Sequence, residues 1–403
     1  MKKIVQKFGG TSLDSDNKRK IAVKKIKKAV ENGFSPIVVV SAMGRFGDAY
    51  ATDTLIDMAE NACDRINPRE KDLLMSCGEI ISAVIVVQYL KSIGIDGVAL
   101  TGAQAGIETD KRYGESRVKQ VNPDRILNII QEGKVPVVAG FQGKTSSDEI
   151  TTLGRGGSDT TASILADAVD AMYIEIFTDV EGLMTADPSL VKGAKILNEV
   201  SYKEVCELAY QGARVIHPRA AEIARASSIP IKIHSIYSEK AGTLIHNSNM
   251  RKIESDRPIT GVASRHNIIF VKIIPINQNE YDSGLKVFKK LAERKVSVDF
   301  INIRPHAISF IVAEEKKDIL LKVLKEEKFD YEISSKYVKL SLVGGGMTGR
   351  PGIMARIVDA LTKKNISIFQ TTDSHTTISC LIKSEVEKKA LNTLHDAFSL
   401  SDY

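Results

Sequence analysis

The stretch Ile4-Val5-Gln6-Lys7-Phe8-Gly9-Gly10-Thr11-Ser12 decides how the first half of the chain folds. A β-branched run that ends in paired glycines ahead of a helical pattern is typical of a parallel strand that turns into a helix. Paired glycines let the backbone approach an anion, and the helix start offers unpaired N–H groups beside the charge of Lys7. The stretch predicts a phosphate cradle, and an ordinary tight turn is the alternative.

The same alternation of strands and helices continues to about residue 245. The further β-branched runs lie at 37–41, 98–101, 135–139, 173–178 and 229–234. This order predicts an α/β fold in which a mainly parallel sheet is sandwiched by helices. Ligands of such folds bind at the carboxyl ends of the strands, where glycine, serine, threonine and acidic residues cluster in this sequence.

The order of elements changes beyond this first domain, which is predicted to span residues 1–245. Residues 246–258 are polar without apolar periodicity and are predicted to be a linker. Residues 264–336 then show the pattern of a complete ferredoxin-like βαββαβ unit. Residues 337–403 show a second unit that lacks its last strand, which the isolated strand 259–263 is expected to supply. The duplicated order indicates two small domains used for binding or assembly.

Each small unit has an apolar run directly after its first helix. These runs, at 296–303 and 366–371, are predicted to be strands. The second unit also contains Gly344–Gly349, which matches the pattern G-x-G-x-x-G. Only 54 residues follow Gly349, too few for the rest of a dinucleotide-binding domain. We therefore expect no dinucleotide cofactor.

Charge gives little reason to expect a nucleic-acid partner. The chain has 56 basic and 50 acidic residues, so its formal net charge of +6 arises from mixed signs. The densest basic run, Lys18–Lys28, is predicted to lie in a helix with its lysines in water. The inward positions of this helix are expected to be Ile21, Ala22, Ile26, Ala29 and Val30. A solvated helix face is preferred to a nucleic-acid patch.

Cysteine usage and hydropathy indicate a cytoplasmic protein. The four cysteines lie far apart without a Cys-x-x-Cys pair, so neither a zinc site nor a disulfide framework is expected. The longest later apolar run, 80–90, contains Ser82 and Gln88 and is too short to cross a bilayer. We expect neither secretion nor a membrane partner.

Two further motifs follow predicted strands. Gly154-Arg155-Gly156-Gly157-Ser158-Asp159-Thr160-Thr161 leads into a helix and predicts a second anion site, where Arg155 can bind a carboxylate or phosphate. A flexible loop with an ordinary N-cap is the alternative. Phe177-Thr178-Asp179-Val180-Glu181-Gly182-Leu183-Met184-Thr185-Ala186-Asp187-Pro188 is a strand that ends in an acidic turn. Its carboxylates suit Mg²⁺ or nucleotide hydroxyls, yet Asp-Pro and Glu-Gly also form plain turns.

The remaining candidates have plain structural explanations. Lys195 and the run Ser76–Glu79 each admit a surface or capping role, and His217-Pro218 is predicted to begin a helix. Gly143-Lys144-Thr145 fails the P-loop pattern because position 138 is valine. No spacing typical of metal ligands stands out, so no residue is assigned as a metal ligand.

Taken in order, the motifs resemble those of the aspartokinase family. The resemblance covers essentially the whole chain, and it rests on KFGGTS at 7–12, Val39–Ala42, Ser76–Glu79, GRGGSD at 154–159 and FTDVEGLMTADP at 177–188. It implies an amino-acid kinase fold followed by two ACT domains. It also implies ATP- and Mg²⁺-dependent phosphorylation of the aspartate side chain to β-aspartyl phosphate, the first step of lysine, threonine, methionine and diaminopimelate biosynthesis.

The resemblance also implies roles for the matching residues. The catalytic residues would be Lys7, Arg155 and Asp159. The residues that bind aspartate would be Ser41, Thr52, Glu79, Arg155 and Ser158, with Glu79 on the ammonium group. The residues that bind ATP would be Lys7, Gly9, Gly10, Ser12, Thr178, Asp179, Gly182, Asp187 and Lys195.

The sequence departs from the family pattern in three places. Many relatives have an aromatic residue where Met184 stands and an arginine at Ser189. Asn277–Glu280 occupy a position where the first ACT domain often has a Pro-Gly turn, whereas the second domain keeps Pro351-Gly352.

Regulation and assembly are further implications of the resemblance. An amino-acid effector (lysine, threonine or diaminopimelate) is expected at the ACT domains of a homodimer or higher oligomer. The expected contact residues, after a helix and at the start of a strand, are Ser297, Val298, Asp299 and Asn302. Met250 is a candidate start for a separately made regulatory chain.

Two other functions remain open at this point. One is a kinase for another carboxylate or for a carbamate. The other is a non-catalytic amino-acid sensor with a vestigial kinase body, against which the intact set of Lys7, Glu79, Arg155 and Asp159 argues.

Overall fold

The computed structural model describes most of the chain. The described residues are 1–63, 65–213, 215–247, 257–274, 282–304, 307–327, 329–347 and 349–403. The chain forms two compact units, each built from segments that are separate in sequence. The first unit comprises Met1–Leu183, Ile196–Ala209 and Arg214–Glu254, and the second comprises Met184–Lys195, Tyr210–Ala213 and Ser255–Tyr403.

The elements of the first unit are numbered in chain order. Its strands are β1 (Lys2–Phe8), β2 (Phe34–Val40), β3 (Gly97–Leu100), β4 (Ile107–Thr109), β5 (Val118–Val121), β6 (Val135–Ala139), β7 (Gln142–Lys144), β8 (Ile150–Thr152), β9 (Ile174–Thr178), β10 (Glu199–Ser201), β11 (Ile231–Ser235) and β12 (Thr243–His246). Its helices are α1 (Asp16–Glu31), α2 (Thr52–Ala62), α3 (Pro68–Ser92), α4 (Asp124–Gln131), α5 (Gly157–Ala168), α6 (Tyr202–Tyr210) and α7 (Pro218–Ala226).

The main sheet places β1 at its centre. Within the described residues the strand order is β10-β12-β11-β9-β1-β2-β6-β3. All neighbouring strands pair in parallel except β11 and β12, which are antiparallel. The fold class predicted from the sequence, a mainly parallel sheet with helices, is therefore confirmed.

Helix α1 covers one face of this sheet. Ser15 caps it by accepting a hydrogen bond from the Lys18 N–H, and Ala22 and Ile26 are fully buried in the core beside Phe8. The prediction that Val30 faces inward is wrong, since this residue is 38% exposed. Val30 lies in the last turn of the helix, where the sheet leaves it open to solvent.

The sequence did not reveal a second, smaller sheet in this unit. Within the described residues its strand order is β5-β4-β7-β8. Each of these strands has only three or four residues, too few to show an alternating pattern. Strand β12 extends to His246, the first residue of the predicted linker, and residues 248–256 of that linker lie outside the described residues.

Helix α3 contains the apolar run 80–90, which was judged too short to cross a bilayer, but the helix itself has 25 residues. By length and composition alone it could cross a membrane. It instead packs on β3 and β6 and buries the carboxylates of Asp72 and Glu79. Asp72 accepts hydrogen bonds from the N–H groups of Gly114 and Thr152, so α3 is a core helix of this unit.

The second unit contains two four-stranded sheets. Its strands are β13 (Gly261–Arg265), β14 (Ile268–Ile274), β15 (Asp299–Arg304), β16 (Ala307–Ala313), β17 (Asp330–Ser334), β18 (Tyr337–Val343), β19 (Gln370–Asp373) and β20 (Thr377–Lys383). Its helices are α8 (Asp282–Glu293), α9 (Lys317–Glu326), α10 (Ile353–Lys363) and α11 (Glu387–Ala397). The sheet orders among the described residues are β15-β16-β14-β17 and β13-β18-β20-β19. Strand β13 pairs antiparallel with β18 and forms one edge of the second sheet.

Two strands predicted in this unit begin later than expected, at Asp299 rather than 296 and at Gln370 rather than 366. The residues concerned end helices instead. Val296 donates its N–H to the carbonyl of Leu291, and Ile366 donates to Leu361, after residues in left-handed conformation. This is the Schellman motif, whose apolar residue packs back on the helix, so a buried apolar residue there resembles the start of a strand.

The glycine-rich run after β18 has a packing role. A Cβ atom on Gly344 would lie 2.1 Å from the carbonyl oxygen of Pro258, so only glycine allows the approach of the segment that enters β13. This contact explains the glycine without any dinucleotide.

Candidate active site

The loop after β1 lies between the ends of two neighbouring strands. The Gly9 N–H donates to the carbonyl of Phe177 at the end of β9 (3.3 Å), and the Ser12 hydroxyl donates to the same oxygen (3.4 Å). A Cβ atom on Gly10 would lie 2.3 Å from the carbonyl oxygen of Ala42, which follows β2. Glycine is therefore required where this loop passes the end of β2.

The second glycine-rich loop leads into α5. Gly156 has a left-handed conformation (φ 70°), and a Cβ atom there would lie 2.2 Å from the ring of His217. Ser158 and Asp159 are both 8% exposed in the first turn of the helix. The start of a helix carries unpaired N–H groups and a partial positive charge, which favour a bound anion.

The two loops meet at an ion pair. Lys7 Nζ lies 2.6 Å from Asp159 Oδ1, and both side chains are nearly buried. Asp159 Oδ2 also accepts a hydrogen bond from the His217 N–H (3.3 Å). Because the carboxylate restrains the ammonium group, Lys7 has a defined position at the carboxyl edge of the sheet.

A second buried carboxylate lies on the neighbouring side of this edge. Glu79 Oε1 accepts a hydrogen bond from the Ala42 N–H (3.1 Å), whereas among the described residues Glu79 Oε2 and the Thr52 hydroxyl are buried without a partner. A Cβ atom on Gly78 would lie 2.7 Å from that hydroxyl, so Thr52 packs against the turn of α3 that carries Glu79. Burial raises the pKa of Glu79 to about 7. Buried oxygens without a partner and a perturbed pKa are typical of a functional site.

The other residues assigned to aspartate binding differ in exposure. The Ser41 N–H donates to the carbonyl of Phe8 (3.1 Å), which places Ser41 directly beside the end of β1. Ser158 lies against Gly140, where a Cβ atom would be 2.9 Å from its hydroxyl oxygen. Arg155 is exposed on the glycine-rich loop, so its guanidinium is accessible to an anion.

The structure divides the acidic motif 177–188 between the two units. In the first unit the Thr178 hydroxyl donates to Asp179 Oδ1 (3.1 Å), and a Cβ atom on Gly182 would lie 2.6 Å from the hydroxyl of Thr243. Gly182 is therefore needed for close packing beside the loop that leads to β12.

Asp187 and Lys195 belong to the second unit. Asp187 Oδ1 accepts hydrogen bonds from the N–H (2.8 Å) and the hydroxyl (2.6 Å) of Ser189, as in an ordinary aspartate turn. The backbone of Lys195 pairs with Thr185, and its side chain is exposed. The chain around them is packed in the second unit, because Ala186 and Val191 belong to the same hydrophobic core as the β13-β18-β20-β19 sheet.

The expected effector segment is also in the second unit. Ser297 is exposed and Val298 half-buried, and Asn302 lies opposite Ser309 in the β15–β16 ladder. Asp299 Oδ2 lies 2.8 Å from Lys339 Nζ and 3.4 Å from Arg265. Burial alone would raise the pKa of Asp299, but the hydrogen bond from Lys339 and its charge outweigh burial and lower it. Asp299 therefore has cationic partners of its own.

Sequence reasoning favoured a structural role for His217 over a catalytic one. The structure places His217 at the N-cap of α7, where its ring contacts Gly156 and its N–H reaches Asp159. Burial lowers the pKa of His217, so the imidazole is neutral at neutral pH. The His-Pro pair at a helix start was a signal for the N-cap but not for the contact with Asp159.

Comparisons with known proteins identify the family of this chain. The profile of the amino acid kinase family matches residues 2–235, and an ACT domain profile matches residues 332–396. Aspartokinase 1 of Bacillus subtilis is 46% identical over 404 residues, which cover all of both chains. The crystal structure of an aspartate kinase from Clostridium acetobutylicum is 26% identical with a TM-score of 0.78, and the match covers 98% of this chain and all of that one.

A more distant structure shares the fold. The E. coli aspartokinase III structure in complex with aspartate and ADP has a TM-score of 0.82 at 24% identity, and the match covers 98% of this chain and 99% of that one. The chain therefore belongs to the amino acid kinase family and, within it, to the aspartokinases, enzymes that phosphorylate the side-chain carboxylate of aspartate and are regulated through ACT domains.

Proposed function

We propose that the phosphoryl transfer takes place at the carboxyl edge of the main sheet, with ATP as the donor and Lys7 beside the transferred group. The observation that supports this best is the Lys7–Asp159 ion pair, 2.6 Å long, between two glycine-rich loops. In this proposal Gly9, Gly10 and Ser12 contact the phosphates through their backbone or hydroxyl, and Lys7 stabilises the charge on the moving phosphoryl group. Asp159 holds Lys7 in position.

The aspartate substrate is proposed to bind beside the second loop. Glu79 and Thr52 have buried oxygens without protein partners in the described part of the chain, which suits the substrate ammonium group. Arg155, exposed on its loop, would bind a substrate carboxylate through two parallel hydrogen bonds. Ser41 and Ser158 would complete the set at the ends of β2 and β6.

The nucleoside is proposed to bind at the end of β9. Thr178, Asp179 and Gly182 of the first unit are the proposed contacts there. The assignment of Asp187 and Lys195 to ATP binding stays a prediction from the family resemblance. Met184 and Ser189 replace an aromatic and an arginine in the family pattern, so base stacking and one polar contact would differ from those of relatives.

The phosphoryl acceptor is a carboxylate, and this determines what the site must do. A carboxylate is already an anionic nucleophile at neutral pH, so this reaction needs no general base. The enzyme must bring two anions together, which Lys7, Arg155 and the helix starts do by stabilising negative charge along an in-line transfer. The product would be β-aspartyl phosphate, an acyl phosphate.

Magnesium is proposed to arrive bound to the nucleotide. Among the residues that the structure describes, no group of three or more His, Cys, Asp or Glu side chains could hold a metal ion. The ion would supply positive charge on the phosphate oxygens. Asp179, exposed at the end of β9, is the carboxylate in reach of such an ion by its position.

The domain organisation proposed here is a catalytic domain over 1–245, a linker over 246–258, and ACT domains over 264–336 and 337–403. The pairing of β13 with β18 supports a second domain completed by strand 259–263. We further propose a cytoplasmic homodimer or higher oligomer that binds an amino-acid effector at the ACT domains, near Asp299.

A hydroxamate assay tests the proposed reaction. Hydroxylamine traps an acyl phosphate, so purified protein with ATP, Mg²⁺ and aspartate is expected to give aspartyl hydroxamate, and glutamate and carbamate to give little. Repeating the assay with lysine, threonine and diaminopimelate identifies the effector. Absence of product with aspartate at any Mg²⁺ concentration would discard the catalytic proposal in favour of a sensor.

A further inference from the structure

A cavity of about 200 Å³ opens on the face of the main sheet that carries α1. Its floor is formed by Gln6 of β1, Glu175 of β9 and His234 of β11, and its walls by the second half of α1 and the turn at 238–241. All of these residues belong to the first unit. Side chains alternate along a strand, so Gln6 points to the opposite face from Lys7, and the cavity is separate from the catalytic loops.

Three acceptor groups converge in this cavity. Gln6 is 1% exposed, and its Nε2 donates to Glu175 Oε2 (2.9 Å), while its Oε1 is buried with no partner among the described residues. His234 Nε2 is likewise buried without a partner and lies 3.6 Å from Glu175 Oε1, beyond hydrogen-bond distance. Burial lowers the pKa of His234, so the ring is neutral at neutral pH. A buried acceptor without a donor is unfavourable, and a ligand that carries donors would remove this penalty.

The charged side chains around the cavity are mixed in sign, and its lysines pair with carboxylates other than Glu175. Lys25 and Lys28 both pair with Glu239, at 2.5 and 2.6 Å, and Lys240 pairs with Glu181 at 2.9 Å. These lysines are therefore engaged by other carboxylates. Among the described residues, Gln6 and His234, both neutral, lie within 3.6 Å of the Glu175 carboxylate, and Lys28 acts on it through its more distant charge.

The remaining walls are aromatic. Phe34, Tyr173 and Phe177 line the cavity, and the Phe177 ring stacks on that of His234 with 5.7 Å between ring centroids. The face of Tyr173 already holds Lys232 Nζ, 3.9 Å from the ring centroid, so these walls contribute apolar surface, which suits an aliphatic stem. At about 30 Å³ per water, the volume corresponds to about seven non-hydrogen atoms.

We propose that this cavity binds the ammonium group of a small aliphatic amine, with Glu175, Gln6 and His234 as its acceptors. A primary ammonium has three donors for the three acceptor groups and supplies the positive charge that Glu175 lacks. The same acceptors repel phosphates and carboxylates, so the cavity does not serve a nucleotide. The ammonium can come from a diamine or from an amino acid, and the test distinguishes these sources.

Isothermal titration calorimetry on the full chain tests the proposal. The probes are putrescine, cadaverine, alanine and lysine, with valerate as an anionic control of similar size. At least one amine is expected to bind with a stoichiometry near one, and valerate is expected to give no heat. Binding of diamines alone identifies a diamine site, whereas binding of alanine or lysine through the same residues identifies an amino-acid site.

Matched variants locate the binding. Glu175→Gln is expected to weaken amine binding at least tenfold, Gln6→Leu to weaken it several-fold, and Glu132→Gln, on an exposed carboxylate of another surface, to leave it unchanged. Ala241→Trp, in the exposed turn at the cavity mouth, is expected to weaken amine binding because its side chain blocks the entrance. This variant serves as the test if the strand variants fail to fold.

The basal formation of aspartyl hydroxamate is expected to be unchanged in all folded variants, which separates this proposal from the catalytic one. The cavity proposal would be overturned if no amine gave heat at concentrations of about 10 mM. It would also be overturned if wild type, Glu175→Gln and Ala241→Trp bound the amines equally.

Discussion

Gln6 and Lys7 are neighbours in the same strand, yet their side chains lie on opposite faces of the sheet and have different partners. On one face Lys7 is held by Asp159 at 2.6 Å. On the other face Gln6 keeps a buried oxygen without a partner in the described structure, beside a carboxylate whose close partners are neutral. One strand thus supplies a positive group to a site for anions and an acceptor to a cavity for a cation.

The difference shows how strand alternation separates two binding chemistries. Buried polar groups are normally satisfied, so those left open mark places where a ligand completes the structure. At the carboxyl edge the open oxygens belong to Glu79 and Thr52, and on the α1 face they belong to Gln6. Both places lie in one rigid sheet, but each is open to a different ligand.

The largest expected effect distinguishes the two neighbours directly. Lys7→Met is expected to lower kcat by roughly a thousandfold, since it removes the charge next to the transferred phosphoryl group. Gln6→Leu changes the other face and is expected to leave kcat within a few-fold of wild type. Initial rates in the hydroxamate assay at saturating ATP and aspartate measure both. Equal losses in the two folded variants would mean that the faces do not act separately.

Arg155 tests whether the anion site extends to the exposed loop. Arg155→Ala is expected to lose roughly 2–5 kcal/mol of transition-state binding, or on the order of a hundredfold or more in kcat/KM, because a substrate carboxylate loses a bidentate partner. Arg112→Ala, also on an exposed arginine, is the matched control and is expected to behave like wild type. Wild-type kinetics in Arg155→Ala would remove this residue from the site.

Sequence reasoning recovered most of the main sheet because its strands are long and apolar. The strand at 135–139 has the predicted bounds, and β1 extends the predicted run by two residues. The small sheet of β4, β5, β7 and β8 has no such pattern, and the short β10 and β12 were also missed. The two late-starting strands, β15 and β19, show that a buried apolar residue after a helix does not distinguish a Schellman motif from a strand.

The two faces also differ in how much of each could be predicted. The carboxyl edge has glycine-rich motifs that are visible in the sequence, whereas the cavity is built from single polar residues inside apolar strands. Gln6 and Glu175 are separated by 169 positions, and only the parallel register places them side by side. No local pattern contains that register, so the cavity could not be found before the fold was known.

Glu79 gives the third test, because its protonation sets the charge of the proposed ammonium site. With its pKa raised to about 7 by burial, the free enzyme holds Glu79 protonated at pH 6 and ionised at pH 8. Only the carboxylate attracts an ammonium group, so KM for aspartate is expected to rise about tenfold for each pH unit below 7 and to be nearly constant above it. The measurement is KM against pH at saturating ATP. Glu79→Gln cannot ionise, so its KM is expected to be high and flat over this range. A wild-type profile that is equally flat would show that Glu79 does not bind the ammonium group.

The smallest expected effect concerns Phe177, where the two faces are connected. Its ring stacks on Phe8 (4.8 Å between centroids) on the α1 face, and its carbonyl accepts from Gly9 and Ser12 at the catalytic edge. Since Phe177→Leu keeps the backbone, it is expected to lower the free energy of unfolding of the first unit by about 1–2 kcal/mol and to change kcat little. Urea denaturation of Phe8→Leu, Phe177→Leu and the double variant gives the coupling between the rings, expected at about 0.5–1.5 kcal/mol. A coupling near zero would show that the rings are only neighbours, and a large loss of kcat in Phe177→Leu would show that the α1 face controls the catalytic loop through this residue.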